Sequence, residues 1–229
     1  MTDALSWKNR LTTTVVMELL AALSGVGLVL FILGHLSGNL LLFAGPDAFN
    51  AYAERLQSLG PALWAIRAGL LATALTHVVM TVWLKLRNRA ARGGGYAVSV
   101  RRGGRPVGTR TMIYTGILIA CFAALHIYDF SMADKTGARS VVGGESLHLY
   151  GVVFNSFANP VRSLLYIAAV WAVGLHFSHV ISSVWVTLGV LGDAATKKAD
   201  AAARALGVLV ALAFTAIPVY IFLKANFFG

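Results

Sequence analysis

The chain of 229 residues is 58% hydrophobic and only 12% charged, with a formal net charge of +10. Soluble domains carry roughly 25% charged residues, so the composition excludes an ordinary soluble fold and points to an integral membrane protein. There the placement of basic residues counts for more than their sum, so the charge is read as topology and no nucleic-acid partner is expected.

The opening "MTDALSWKNRLTTT" precedes an apolar run much longer than a signal-peptide core, with no small-residue cleavage site where one is expected, so the first span is expected to remain in the mature protein. Crossing about 30 Å of hydrocarbon takes roughly 20 apolar residues. Five segments qualify, at about 15–43, 62–86, 111–130, 163–191 and 206–223. In lipid the backbone must satisfy itself within each segment, so all five are helices. The expected fold is an all-α, single-domain bundle of five transmembrane helices over residues 1–229. The third span is barely long enough, whereas the first and fourth have length to tilt or to project. Cys121 is the only cysteine and lies inside the third span, which excludes an internal disulfide and any cysteine-ligated cluster.

Loop charge sets the orientation. The second connection, "KLRNRAARGGGYAVSVRRGGRPVGTR", carries eight basic residues and no acidic one: Lys85, Arg87, Arg89, Arg92, Arg101, Arg102, Arg105 and Arg110. By the positive-inside rule this loop is cytoplasmic. With five spans, Lys8 and Arg10 at the N-terminus and Lys197, Lys198 and Arg204 in the fourth connection fall on the same side. Asp47, Glu54, Asp134 and Glu145 fall on the other. The N-terminus is therefore expected inside and the C-terminus, "KANFFG", outside. No internal repeat is detectable.

Of the six histidines five lie within the spans. An imidazole in hydrocarbon costs free energy unless it is satisfied, which makes an intramembrane histidine a candidate functional residue. His35 lies about twenty residues along a helix that enters from the cytoplasm, hence toward the outer leaflet at 1.5 Å per residue. His126, some fifteen residues into the third span, is also outer. His77 and His179 sit on helices that enter from outside and fall in the inner half. Two imidazoles at one depth on different helices are what a bis-histidine haem requires, since both must reach one iron from opposite faces. An outer pair, His35 with His126, and an inner pair, His77 with His179, would place two haems across the bilayer. Gly34, Gly38, Ala74, Ala123 and Gly174 would leave room for a macrocycle, and Phe31, Trp83, Phe122 and Trp185 would pack its edges, although the small residues fit ordinary helix packing equally well. His176, three residues before His179 on nearly the same face, is read first as an interhelical donor and otherwise as a rival ligand or a propionate or quinone partner. His148, in the polar "GGESLHLYG", is read as a surface residue.

The motifs "GHLSGN", "ALTHVVMTVWL", "CFAALHIYDF" and "GLHFSHVISSVWVTLG" in successive spans resemble the di-haem, five-helix cytochrome b subunit of succinate dehydrogenase and fumarate reductase. The resemblance covers most of the chain, and its ordered spacing is more specific than any one motif. It implies that His77 and His179 ligate the haem nearer the cytoplasm and His35 and His126 the farther one. It favours His179 over His176 because "ISSVW" matches the family stretch after the ligand, with Val180 standing where relatives often have glycine. It implies two haems b as cofactors, a quinone as substrate with menaquinone expected, and a flavoprotein and an iron–sulfur subunit as cytoplasmic partners. It also implies a location in the cell inner membrane and a contribution to the activity of a succinate dehydrogenase or fumarate reductase complex, with dicarboxylate chemistry left to the other subunits. The chain itself has no cluster-forming cysteines and no Gly-rich nucleotide fingerprint, which agrees with that division of labour.

A quinone needs donors for its carbonyls and a slot open to lipid. Glu18 with Ser24 near the inner end of the first span, and Tyr52, Glu54 and Arg55 in the first outer loop, are the candidate groups; both sets are also what plain interfacial residues look like. Arg67 and Arg162, at the outer ends of the second and fourth spans, would pair with outer-haem propionates or snorkel to headgroups. The competing classes are a histidine-dependent proton or metal transporter, which predicts interrupted helices and inverted repeats, and a structural anchor without haem.

Overall fold

The computed structural model describes residues 13–91, 107–178, 180, 184 and 193–228, with backbone alone at 91, 107–110 and 193–196. Among the described residues seven α-helices run in chain order: α1 (Thr14–Leu40), α2 (Pro46–Gln57), α3 (Pro61–Ala91), α4 (Val107–His126), α5 (His148–Ala158), α6 (Pro160–Phe177) and α7 (Asp193–Phe227). A 3-10 turn, Leu41–Ala44, extends α1, and a π-helical turn, Ile127–Ser131, extends α4. A two-residue β-hairpin, Val141–Val142 with Glu145–Ser146, precedes α5. Among the described residues five helices are long and apolar enough to cross a membrane: Thr14–Ala44, Pro61–Ala90, Thr111–Ser131, Pro160–Phe177 and Lys197–Phe227. The chain is thus an all-helical, multi-pass membrane protein, and each expected span overlaps one of these helices; residues 179, 181–183 and 185–191 of the fourth lie outside the described residues.

The ends of the elements follow their sequence. The Thr13 hydroxyl accepts from the Val16 N–H at 3.4 Å and starts α1. Asn159 caps α6, its Oδ1 accepting from the N–H groups of Val161 (2.9 Å) and Arg162 (3.1 Å), with Pro160 in the first turn where no N–H is needed. Amphipathic α2 begins at Pro46 with Asp47 in its first turn and ends near Arg55, charges that match the helix dipole.

α1 and α3 pack as one antiparallel pair; α4, α6 and α7 form the other group, with α6 lying along α7. The α6–α7 crossing is set by Gly174 facing Gly207, where a Cβ on Gly174 would stand 2.5 Å from the Gly207 carbonyl oxygen. Gly174 therefore serves helix packing and does not open space beside a histidine. At one end the bundle is capped by α2, the hairpin and α5. Leu42, Phe49, Tyr150, Val153, Phe157, Tyr166, Ile217 and Ile221 form the core there. Asn50 ties α2 to α5, its Nδ2 donating to the Leu147 carbonyl and its Oδ1 accepting from the Tyr150 N–H, both at 3.0 Å. In the loop beneath, Asp134 accepts from the backbone N–H (2.9 Å) and hydroxyl (2.8 Å) of Thr136, bonds that hold its carboxyl below the usual range. Described basic residues Lys85, Arg87, Arg89, Lys197, Lys198 and Arg204 are exposed at the opposite end.

A candidate two-level histidine site

The two packed groups face each other through histidines at two levels. Near the capped end His35 on α1 meets His126 on α4, ring centroids 5.5 Å apart and planes at 88°. Aromatic side chains wall this pair: Phe31 stacks on His35 at 5.5 Å, Phe214 lies 6.1 Å from it, and Phe122, Phe130 and Tyr166 lie 5.8, 5.2 and 6.1 Å from His126. His126 Nδ1 is buried and has no hydrogen-bond partner. A buried imidazole nitrogen left in that state is costly, and native structures rarely leave one without a reason such as a ligand.

Toward the opposite, basic end His77 on α3 meets His176 on α6, ring centroids 6.5 Å apart and planes at 76°. Each has its Nδ1 engaged from behind. His77 Nδ1 lies 3.0 Å from the Ala21 carbonyl oxygen, and Ser24 Oγ is 3.5 Å away. A carbonyl only accepts, so Nδ1 carries the proton and Nε2 keeps its lone pair. His176 Nδ1 lies 3.0 Å from Thr115 Oγ1, whose single proton is directed at the Met112 or Thr111 carbonyl at 3.0 and 3.2 Å. With that proton on either carbonyl, Thr115 accepts from His176, which would give the same tautomer. A backbone carbonyl or hydroxyl behind a histidine, with the other nitrogen left as a Lewis base, is the usual support of a metal-ligating imidazole. Gly25 makes room for this arrangement: a Cβ there would stand 3.1 Å from His77 Cε1.

The levels are separated along the bundle. From Ala21–Gly25, against His77, to His35 is ten to fourteen residues of α1, and from Thr115 to His126 is eleven of α4. At 1.5 Å rise both paths give roughly 15–20 Å.

A metal bound between two imidazoles at about 2.0–2.1 Å from each nitrogen sets the ring centroids roughly 6 Å apart, close to the spacing of both pairs. Among the described residues no group of three or more His, Cys, Asp or Glu is placed to hold a metal ion. A bare ion needs about four ligands, so two imidazoles suit a metal that brings its remaining ligands with it, as in a haem.

The other sequence candidates are scattered. His179 and Trp185 lie outside the described residues. Glu18 is exposed, and the buried Ser24 donates to the Leu20 carbonyl at 2.6 Å beside His77. Tyr52 covers Gly38, where a Cβ would meet its ring at 2.5 Å, so Gly38 serves the contact of α1 with α2. Gly34 has nothing within 4 Å of its Cβ position. Glu54 and His148 are exposed, and Arg67 rests over the Trp64 ring at 5.1 Å. Arg162 is ion-paired, its Nη2 donating to Asp129 Oδ1 at 2.8 Å. Asp129, Tyr166, Thr115 and Gly25 were missed from sequence; a carboxylate three residues after an intramembrane histidine was the available signal for Asp129. Comparison with family models, curated proteins and solved structures finds no significant match to the chain.

Proposed function

We propose that the chain is a membrane cytochrome b: an anchor subunit of a succinate:quinone oxidoreductase that carries electrons between cytoplasmic flavoprotein and iron–sulfur subunits and a membrane quinone. The observation that carries this reading is the repeated two-histidine site, two imidazoles on facing helices at each of two levels with no third protein ligand among the described residues. A haem held there supplies one-electron chemistry. The chain's own part is to aim the Nε2 lone pairs of His77 and His176 through the Ala21 carbonyl and the Thr115 hydroxyl, and to exclude water around His35 and His126 with Phe31, Phe122, Phe130 and Tyr166.

This reading puts the basic end at the cytoplasm of the cell inner membrane, where the partner subunits dock, and the end that carries α2, the hairpin and α5 outside. His35 and His126 are then the outer pair. For the inner pair, His77 faces His176, whereas the family resemblance favours His179, which lies outside the described residues, and substitution of each separates the two. The proposal as a whole is tested by the visible spectrum of the purified protein. Dithionite-reduced low-spin haem b bands at two haems per chain are expected, and their absence would overturn it.

A further inference from the structure

Asp129 has no part in the arrangement so far, yet it is fully buried, with no exposed surface. It sits in the π-helical turn that directly follows His126, and irregular turns of this kind are frequent at functional sites. Its Oδ2 accepts from the Tyr166 hydroxyl at 2.7 Å and its Oδ1 from Arg162 at 2.8 Å. The Tyr166 ring lies against His126 at 6.1 Å, whereas Arg162 stands four residues nearer the α6 N-terminus, about 6 Å farther out, with its side chain one-third exposed. The ion pair thus points its negative end into the histidine nest and its positive end toward the surface. Desolvating such a pair costs roughly what its attraction returns, so stability alone is a weak reason to build one.

We propose that Asp129 is a positioning residue for redox potential: a fixed negative charge, held by Tyr166 and Arg162, that favours the oxidised, more positive state of the iron between His35 and His126. The inference rests on the haem reading above. Asp129 therefore lowers the reduction potential of the outer haem and leaves the inner one, a dozen or so residues away along the bundle, nearly untouched.

The test is a spectroscopic redox titration of the purified complex as wild type, Asp129→Asn, Asp129→Glu and Tyr166→Phe. Asp129→Asn removes the charge, and the outer midpoint rises. The reduced-to-oxidised ratio at the wild-type outer midpoint grows about tenfold, the scale of one unit charge acting through protein, equivalent to about 59 mV for one electron. Tyr166→Phe removes a hydrogen bond that disperses the carboxylate charge, and the outer midpoint falls. Asp129→Glu restores the wild-type value. These opposite signs are not produced by a merely structural role. If Asp129→Asn does not assemble, the sign of the Tyr166→Phe shift decides. An unchanged outer midpoint in Asp129→Asn, equal shifts of both haems, or an unchanged or raised midpoint in Tyr166→Phe overturns the inference. A wild-type protein without haem defeats the underlying reading instead, and the inference with it.

Discussion

Replacing Thr115 by valine separates the two assignments of the inner site. Thr115 is 7% exposed and its hydroxyl lies against His176, so the variant acts on that imidazole. Its hydroxyl lies 3.0 Å from His176 Nδ1 and 3.0 Å from the Met112 carbonyl, and valine keeps the shape but offers no hydrogen-bonding group. The imidazole loses that support, and its Nε2 is held less firmly in direction. Supporting hydrogen bonds of this kind are worth about 10- to 100-fold in metal affinity, or about 1.4–2.7 kcal/mol. The backbone bonds of α4 do not depend on the side chain, so folding is barely affected. The assay is retention of haem by the detergent-solubilised complex against an excess of a haem-scavenging apoprotein, followed by reduced-minus-oxidised spectra. Thr115→Val should lose the inner haem about 10- to 100-fold more readily and keep the outer one, and His176→Ala should lack the inner haem altogether. Wild-type retention in both variants, with loss in His179→Ala, would refute the reasoning and give the site to His179.

Three further outcomes follow from the same geometry. His35→Ala and His126→Ala should each remove the outer haem alone; if either removed the inner haem, or if the haem-to-protein ratio were unchanged, the pairing would be wrong. Gly25→Leu places its Cβ 3.1 Å from His77 Cε1 with a branched side chain behind it, and should expel the inner haem while the outer one remains, which the same spectra read. Asn50→Ala breaks both 3.0 Å bonds between α2 and α5 and leaves the buried Tyr150 N–H unsatisfied, at a cost of about 1–3 kcal/mol. A chain of this size should then melt roughly 2–12 °C lower, and an unchanged Tm would show that the cap is held by its apolar core alone.

The parts legible in sequence were those governed by long-range averages. Hydropathy gave the five spans because a bilayer demands about 20 apolar residues of every crossing. Counting residues along antiparallel helices brought His35 and His126 to one level and His77 to another, because helical rise is nearly constant. What local geometry decides was not legible. His176 and His179 lie three residues apart in the chain, and the hydroxyl of Thr115 on a neighbouring helix, set against His176, could not be read from that spacing. Amphipathic α2 and the α5 cap hold too few apolar residues in a row to register as spans. The partner of Arg162 was hidden because a π-turn, not regular helix, carries Asp129, and Gly174 could not be told from a cofactor-facing glycine until Gly207 was seen opposite it.

The distribution of burial carries a last consequence. In the most apolar stretch of α3 no residue is buried, and in that of α4 only 6% are, against 39% in α6 and 33% in α7. α6 and α7 are locked by their own glycine crossing, whereas α3 leans on α1, and α4 on α6. The histidine pairs span the two groups, α1 to α4 and α3 to α6, so a group ligated by them ties together what direct helix packing holds least firmly. Ligation of the native state alone adds about 4.1 kcal/mol per site at a thousand-fold excess over Kd, worth roughly 8–16 °C in the Tm of a chain this long. Haem-depleted protein should therefore melt lower, and hydrogen exchange in detergent should rise first in α3 and α4 while α6 and α7 stay protected. Equal protection of all five helices with and without haem would mean that the groups hold together through packing alone and that the histidines bridge nothing of structural weight.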